Sequence, residues 1–156
     1  MDFFDTNILV YTVDPRDPHR RSVAREVLRA AVDGERLVLS VQVMQEFYNV
    51  VMGKRLLPHA NAVAALREWS RTAPVAPTTP ELLWHALELR ERWQFSVWDA
   101  LVVQAALHAG CSRLVTEDLH HGLRIGALEV FNPFLPGHAV HEPRPRYGAR
   151  KKTAKA

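Results

Sequence analysis

Short unbroken apolar runs recur along the chain between longer stretches whose apolar residues fall at helical spacing. The clearest are Phe3-Phe4 and Leu37-Val38-Leu39, read as buried strands, and Arg113-Leu114-Val115 and Leu128-Glu129-Val130-Phe131, each with one charged residue, read as strands too. Phe3-Phe4, an apolar pair without alternation, suits a strand covered on both faces of a parallel sheet. After the first strand, Ile8 to Val13 begins a helix that Pro15 and Pro18 interrupt. A second helix runs from about His19 to Val32, with Val23, Val27, Leu28 and Ala31 on one face, and Asp33-Gly34 stops it. Ser40 sits in an N-cap position before a helix from Val41 to about Lys54, with Val43, Met44, Phe47, Val50 and Val51 at core spacing.

The rest of the pattern follows the same alternation. A helix from Pro58 to about Arg71 has Pro58 near its first position. The stretch Ala73 to Pro77 reads as an edge strand, because Pro74 and Pro77 cannot donate to a ladder. Thr79-Pro80-Glu81 opens a helix to Trp93. Ser96 opens another through Ala109, with Trp98, Leu101, Val102, Ala105 and Ala106 as its buried stripe, and Gly110 ends it. Thr116-Glu117-Asp118 reads as a turn into a short helix, and Asn132-Pro133 stops the last strand. Strands alternating with helices predict an α/β sandwich with a mainly parallel sheet.

At 156 residues the chain is read as one domain, able to bury about two thirds of its unfolded surface without staples. Cys111 is the lone cysteine, which rules out an internal disulfide and suits a reducing compartment. No basic segment precedes an apolar core at the start, and no apolar stretch is long enough to span a bilayer, so the expected location is cytoplasmic. The net charge of +3 is unevenly placed. From Pro136 onward six basic residues face Glu142 alone, a balance of +5, which leaves −2 for the body. Residues 1–135 are therefore read as the folded domain and 136–156 as a basic, flexible tail.

The acids change the picture from fold to chemistry. Asp5 lies at the end of the first strand, and Asp118 follows a strand that a parallel sheet brings beside it. Asp99 lies in the first turn of the helix leading to that strand, and Glu46 adjoins the core stripe of its own helix. Each has a purely structural reading: a cap at Asp5, a capping box from Ser96 to Asp99, a helix-start charge at Glu117 and Asp118, a solvated face at Glu46. Crowded together, carboxylates about 4 Å apart repel by something near 4 kcal/mol per pair at an effective dielectric of 20. A divalent cation among them would make the cluster tolerable. His120 and His121 are adjacent and no Cys-x-x-Cys occurs, so zinc is disfavoured. An oxygen-only donor set points to Mg²⁺ or Mn²⁺, whose obvious task is to hold a phosphodiester and activate water.

The ordered set Asp5-Thr6-Asn7-Ile8-Leu9-Val10-Tyr11, Ser40 with Glu46-Phe47, Trp98-Asp99-Ala100, Leu114-Val115-Thr116-Glu117-Asp118-Leu119 and Asn132-Pro133-Phe134 resembles the PIN-domain nucleases. It is most similar to the VapC-type toxin ribonucleases, over residues 2 to 134. The resemblance implies a three-layer α/β/α sandwich and an endoribonuclease using Mg²⁺ or Mn²⁺ to hydrolyse RNA phosphodiesters with metal-activated water. It implies Asp5, Asp99, Asp118 and Glu46 as metal ligands. Thr6, Asn7 and Thr116 would hydrogen-bond the carboxylates or the scissile phosphate. It also implies RNA as substrate, a small cognate antitoxin as partner, and a homodimer.

One position departs from the pattern. Many relatives carry a further Asp two residues after the place of Asp118, where this chain has His120, which puts a second metal in doubt; Glu117 is the candidate substitute. Trp84 and Trp93 are read as core, with a surface shared with Arg90 and Arg92 as the alternative. Two rival functions stand beside the nuclease. A haloacid-dehalogenase-like phosphatase needs an acid two residues after its nucleophile, where Asn7 stands. A non-catalytic PIN-like RNA- or protein-binding domain would not need all four acids. No Gly-x-x-x-x-Gly-Lys occurs, which excludes a P-loop enzyme.

Overall fold

Strand β1 (Asp2–Phe4) is buried at all three positions, and β2 (Leu37–Ser40) at all four. Continuous burial without alternation requires cover on both faces, and helices supply it. The computed structural model describes residues 1–137, so the expected tail lies almost wholly outside the described residues. After β1 come α1 (Thr6–Tyr11) and α2 (Pro18–Asp33); after β2 come α3 (Val41–Gly53) and α4 (His59–Thr72). The chain continues through β3 (Val75–Ala76), α5 (Pro80–Trp93), α6 (Val97–His108), β4 (Arg113–Val115), β5 (Arg124–Ile125) and β6 (Leu128–Phe131).

The strands form one sheet in the order β3-β2-β1-β4-β6-β5. Every pairing is parallel except that of β5 with β6. The chain therefore builds outward from β1 through β2 to β3, then crosses back to place β4 on the other side of β1. That reversal leaves a crevice beyond the carboxyl ends of β1 and β4, where binding groups collect in sheets of this kind. The result is the three-layer α/β/α sandwich that the sequence predicts. Its core is centred on Phe3, Phe4, Phe47, Ile8, Leu9, Leu39, Leu114 and Leu128, all with almost no exposure.

The caps that position the site-bearing helices are local and polar. The Asp5 carboxylate accepts from Thr6 N, Ser40 Oγ from Val43 N, Thr79 Oγ1 from Leu82 N and Ser96 Oγ from Asp99 N. The edge strand β3 is flanked by prolines as expected, and Leu39 N donates to Pro74 O at 3.0 Å.

Several expectations need correction. The first helix begins at Thr6 and ends at Tyr11, because Asp5 itself caps it. The second begins at Pro18, capped by Asp17, and Pro58 is the N-cap of α4 rather than its first residue. No short helix follows Asp118. That segment is turns leading into β5, a strand too short to leave a periodic signature, held antiparallel against β6. Trp98 is not part of the α6 stripe but 62% exposed. Trp93 stacks on Phe95 against the core, whereas Trp84 is 61% exposed. No helix among the described residues is long and apolar enough to cross a membrane.

Candidate active site

The register Phe4↔Val115 aligns the ends of β1 and β4, and Asp5 N donates to Val115 O at 3.0 Å. The next residues on each strand thus meet by construction. Thr116 Oγ1 donates to Asp5 Oδ2 at 2.7 Å, and Asp118 N donates back to Thr116 Oγ1 at 3.1 Å. The Asn7 side-chain amide donates to Asp118 Oδ2 at 2.8 Å, to Thr116 Oγ1 at 3.1 Å and to Asp5 Oδ2 at 3.2 Å. One amide nitrogen therefore ties two acids together across the strand ends. Thr6 Oγ1, on the next residue, donates to Glu46 Oε2 at 2.9 Å, and Gln42 Nε2 donates to Glu46 Oε1 at 2.8 Å. Asp99 is held differently: Ser96 Oγ donates to its Oδ2 at 2.6 Å while accepting from its backbone N–H. The capping-box reading of Ser96 and Asp99 and the site reading are compatible.

Asp5, Thr6, Asn7, Glu46, Asp99 and Asp118 all line one cleft of about 310 Å³. All four expected carboxylates open onto a common space from separate stretches of chain. They do not form the tight cage that the crowding argument expects. Among the described residues no three Asp, Glu, His or Cys side chains make a ready metal-binding group. Hydrogen-bond donors intervene between the acids, which disperses the repulsion. The donor chemistry still fits a hard divalent cation. Every acidic donor is a carboxylate oxygen, and the Asn7 Oδ1 atom is buried with no hydrogen-bond partner.

Electrostatics set Asp5 apart. It is 8% exposed, and burial pushes its carboxyl up to about 6. The hydrogen bonds from Thr116 and Thr6 pull it down again, and the charges of Asp118 and Glu46 push it up. Among the described residues no cationic side chain pairs with it.

Thr116 is almost fully buried. Its hydroxyl proton goes to Asp5 while its oxygen accepts from Asn7 and Asp118, and the Thr6 proton goes to Glu46. Both hydroxyls are thus committed to aligning carboxylates. Glu117 is the clearest departure. It accepts from the Tyr11 hydroxyl and pairs with Arg20 at 3.1 Å, and it does not line the cleft. Nor does His120.

Sequence reasoning did not find Tyr11, Asp14, Lys54 or Trp98 on the cleft wall. A signal existed for one of them. Gln42, Glu46, Val50 and Lys54 recur every four residues, which is one face of α3 and its cap. Asp14 is buried, and the Arg16 guanidinium beside it holds its carboxyl down to about 2.

Comparison with known proteins follows this geometry. No protein of curated function matches the chain. Among the solved structures that share its fold at low identity are these three. The sarcin–ricin loop cleaving toxin VapC20 of Mycobacterium tuberculosis is 22% identical, with a TM-score of 0.59 over 73% of this chain and 87% of that one. A toxin–antitoxin complex from Klebsiella pneumoniae gives 18% identity and a TM-score of 0.64, over 86% and 98%. VapBC2 from Rickettsia felis, bound to a DNA fragment from its promoter, gives 17% and 0.58, over 84% and 98%. The family model of the PIN domain matches residues 3–122, which take in the whole arrangement from Asp5 to Asp118. By that match, over most of its length, this chain belongs to the PIN domain family.

Proposed function

We propose that this PIN domain is a divalent-metal-dependent endoribonuclease and the toxin of a type II toxin–antitoxin module. The observation that carries the reading is the cleft at the sheet's switch point, lined by Asp5, Glu46, Asp99 and Asp118 from four separate segments. A buried carboxylate near two others, with no cation in contact, is poor structural economy and good preparation for a cationic guest.

In this reading Asp5, Asp99 and Asp118 hold Mg²⁺ or Mn²⁺, with Glu46 as a further ligand or acting through water. The bound cation supplies charge neutralisation at the phosphodiester and a nucleophilic water at neutral pH. The protein's own part is alignment. Thr116 and Asn7 fix the Asp5 and Asp118 oxygens, Thr6 and Gln42 fix those of Glu46, and Ser96 fixes that of Asp99. No side-chain nucleophile is required. Water attacks phosphorus, the bond from phosphorus to O3′ breaks, and the products carry a 3′-hydroxyl and a 5′-phosphate.

The partners belong to the same reading. The likeness to a toxin–antitoxin complex and to VapBC2 supports a small cognate antitoxin, and the likeness to VapC20 supports RNA as substrate. A homodimer acting in the cytoplasm completes the proposal. The test incubates purified protein with a pool of labelled RNAs in Mg²⁺, in Mn²⁺ or in EDTA, and maps the new ends. Cleavage in either metal, its loss in EDTA, and 5′-phosphate ends are expected. RNA bound but uncut in both metals would replace the enzyme with a non-catalytic binding domain.

A further inference from the structure

Two of the four tryptophans have aromatic partners: Trp69 packs edge-to-face on Phe47, and Trp93 stacks on Phe95. Among the described residues Trp98 has none, and at 62% exposure it is also absent from the core and its packing shell. Yet it lies in the first turn of α6, one residue before Asp99, and forms part of the wall of the acidic cleft. A large apolar ring left mostly in water beside carboxylates contributes far less to folding than a buried one would. The same cleft is lined by Lys54, the C-cap of α3 and the one cation among the lining residues; among the described residues it forms no salt bridge, and its charge acts at longer range on Asp14.

An exposed indole and an ammonium lining one acidic cleft match the parts of one nucleotide. The base takes the aromatic face, a flanking phosphate takes the ammonium, and the acids of the same cleft are left for the cation and the scissile group. Stacking of this kind is tolerant of base identity, because every base has a π-face. It demands a base free of its own helix, as single-stranded loops and ends provide. The cleft, about 310 Å³, is at the small end of ligand-sized pockets and admits one splayed nucleotide rather than a duplex.

We propose that Trp98 is the stacking platform for one unpaired nucleobase next to the scissile phosphate, and that Lys54 contacts a neighbouring backbone phosphate. This rests on the ribonuclease reading above for the identity of the substrate, and its test is built to fail separately.

The test uses the full chain and a single-stranded RNA carrying 2-aminopurine at successive positions, with binding followed in EDTA by fluorescence. Wild type is expected to quench the probe at one position. Trp98→Ala should abolish that quench and weaken binding about tenfold to a hundredfold, while Trp98→Phe keeps most of both. An abasic nucleotide at the same position should weaken wild type by a similar factor and Trp98→Ala hardly at all, a coupling that a purely structural tryptophan would not produce. Lys54→Ala should lower the slope of log affinity against log salt by about 0.7. Circular dichroism and Mn²⁺ titration of Trp98→Ala should match wild type. Position-specific quenching without cleavage in Mg²⁺ or Mn²⁺ would end the ribonuclease reading and leave the stacking platform standing. Equal quenching and affinity in wild type and Trp98→Ala would overturn the platform, whatever the cleavage result.

Discussion

Strand β1 opens on one buried aspartate, Asp2, and is followed at once by another, Asp5, and the two are treated in opposite ways. Asp2, 7% exposed, is paired with the Arg36 guanidinium at 3.1 Å, and its backbone N–H donates to Arg36 O. Asp5, 8% exposed, has only hydroxyl and amide donors, and two further acids act on it through space. The same residue type, about equally buried, is neutralised by a cation where the strand begins and left among other acids just past its end. The difference fits an acid that serves the fold at Asp2 and the ligand role proposed for Asp5, and burial alone would not have told them apart.

Substituting each acid in turn should break the symmetry most sharply. Asp5→Asn is expected to lower RNA cleavage by about a thousandfold or more, since a proposed ligand is lost, equivalent to about 4 kcal/mol in the barrier. Its metal-free form should melt no lower than wild type. The relieved burial penalty is partly offset by the new amide facing the Asn7 amide. Asp2→Asn should cleave normally and lose about 1 kcal/mol of stability, the scale of a half-exposed pair. Equal loss of cleavage in both variants would dissolve the contrast.

The pH dependence of the metal-free protein sharpens it further. With its carboxyl raised from 3.8 to about 6, Asp5 holds its proton more tightly folded than unfolded. Its contribution to stability is therefore most favourable below about pH 4 and falls as pH rises through 6, by at most about 3 kcal/mol. Melting temperature in EDTA should carry that falling component between pH 4 and 6, and Asp5→Asn should remove it. Mn²⁺ affinity should run the other way, strengthening as pH rises through 6, because binding expels the proton.

A smaller effect is expected at Thr116. Thr116→Val keeps the shape but removes the hydroxyl that serves Asp5, Asn7 and Asp118 at once. Cleavage should fall about tenfold to a hundredfold, with metal affinity falling in parallel, as for other groups that orient ligands. A lowered cleavage rate at unchanged Mn²⁺ affinity would mean that Thr116 acts on RNA instead.

Most of the scaffold was legible because its signals are local. Ser40, Thr79 and Ser96 announce helix starts, and Phe3-Phe4 and Leu37-Val38-Leu39 announce buried strands. The meeting of Asp5 with Asp118 followed from strand order, which two parallel neighbours impose. What escaped is what only tertiary placement decides. Trp98 satisfies the helical spacing of a core residue, yet it lies in the first turn of α6 on the open wall of the cleft, 62% exposed. Glu117 looked like a spare ligand until Tyr11 and Arg20 claimed it. The two residues of β5 have no pattern of their own and exist because β6 offers an edge.

The Asn7 clamp joins positions 111 residues apart. Synthesis runs from the amino end, so Asp5 and Glu46 emerge from the ribosome long before Asp118 exists to meet them. A nascent or prematurely terminated chain carries the opening half of the cleft without the closing half. In the ribonuclease reading proposed above, a nascent chain cannot act on the message and the ribosome that make it until translation of this domain is nearly done.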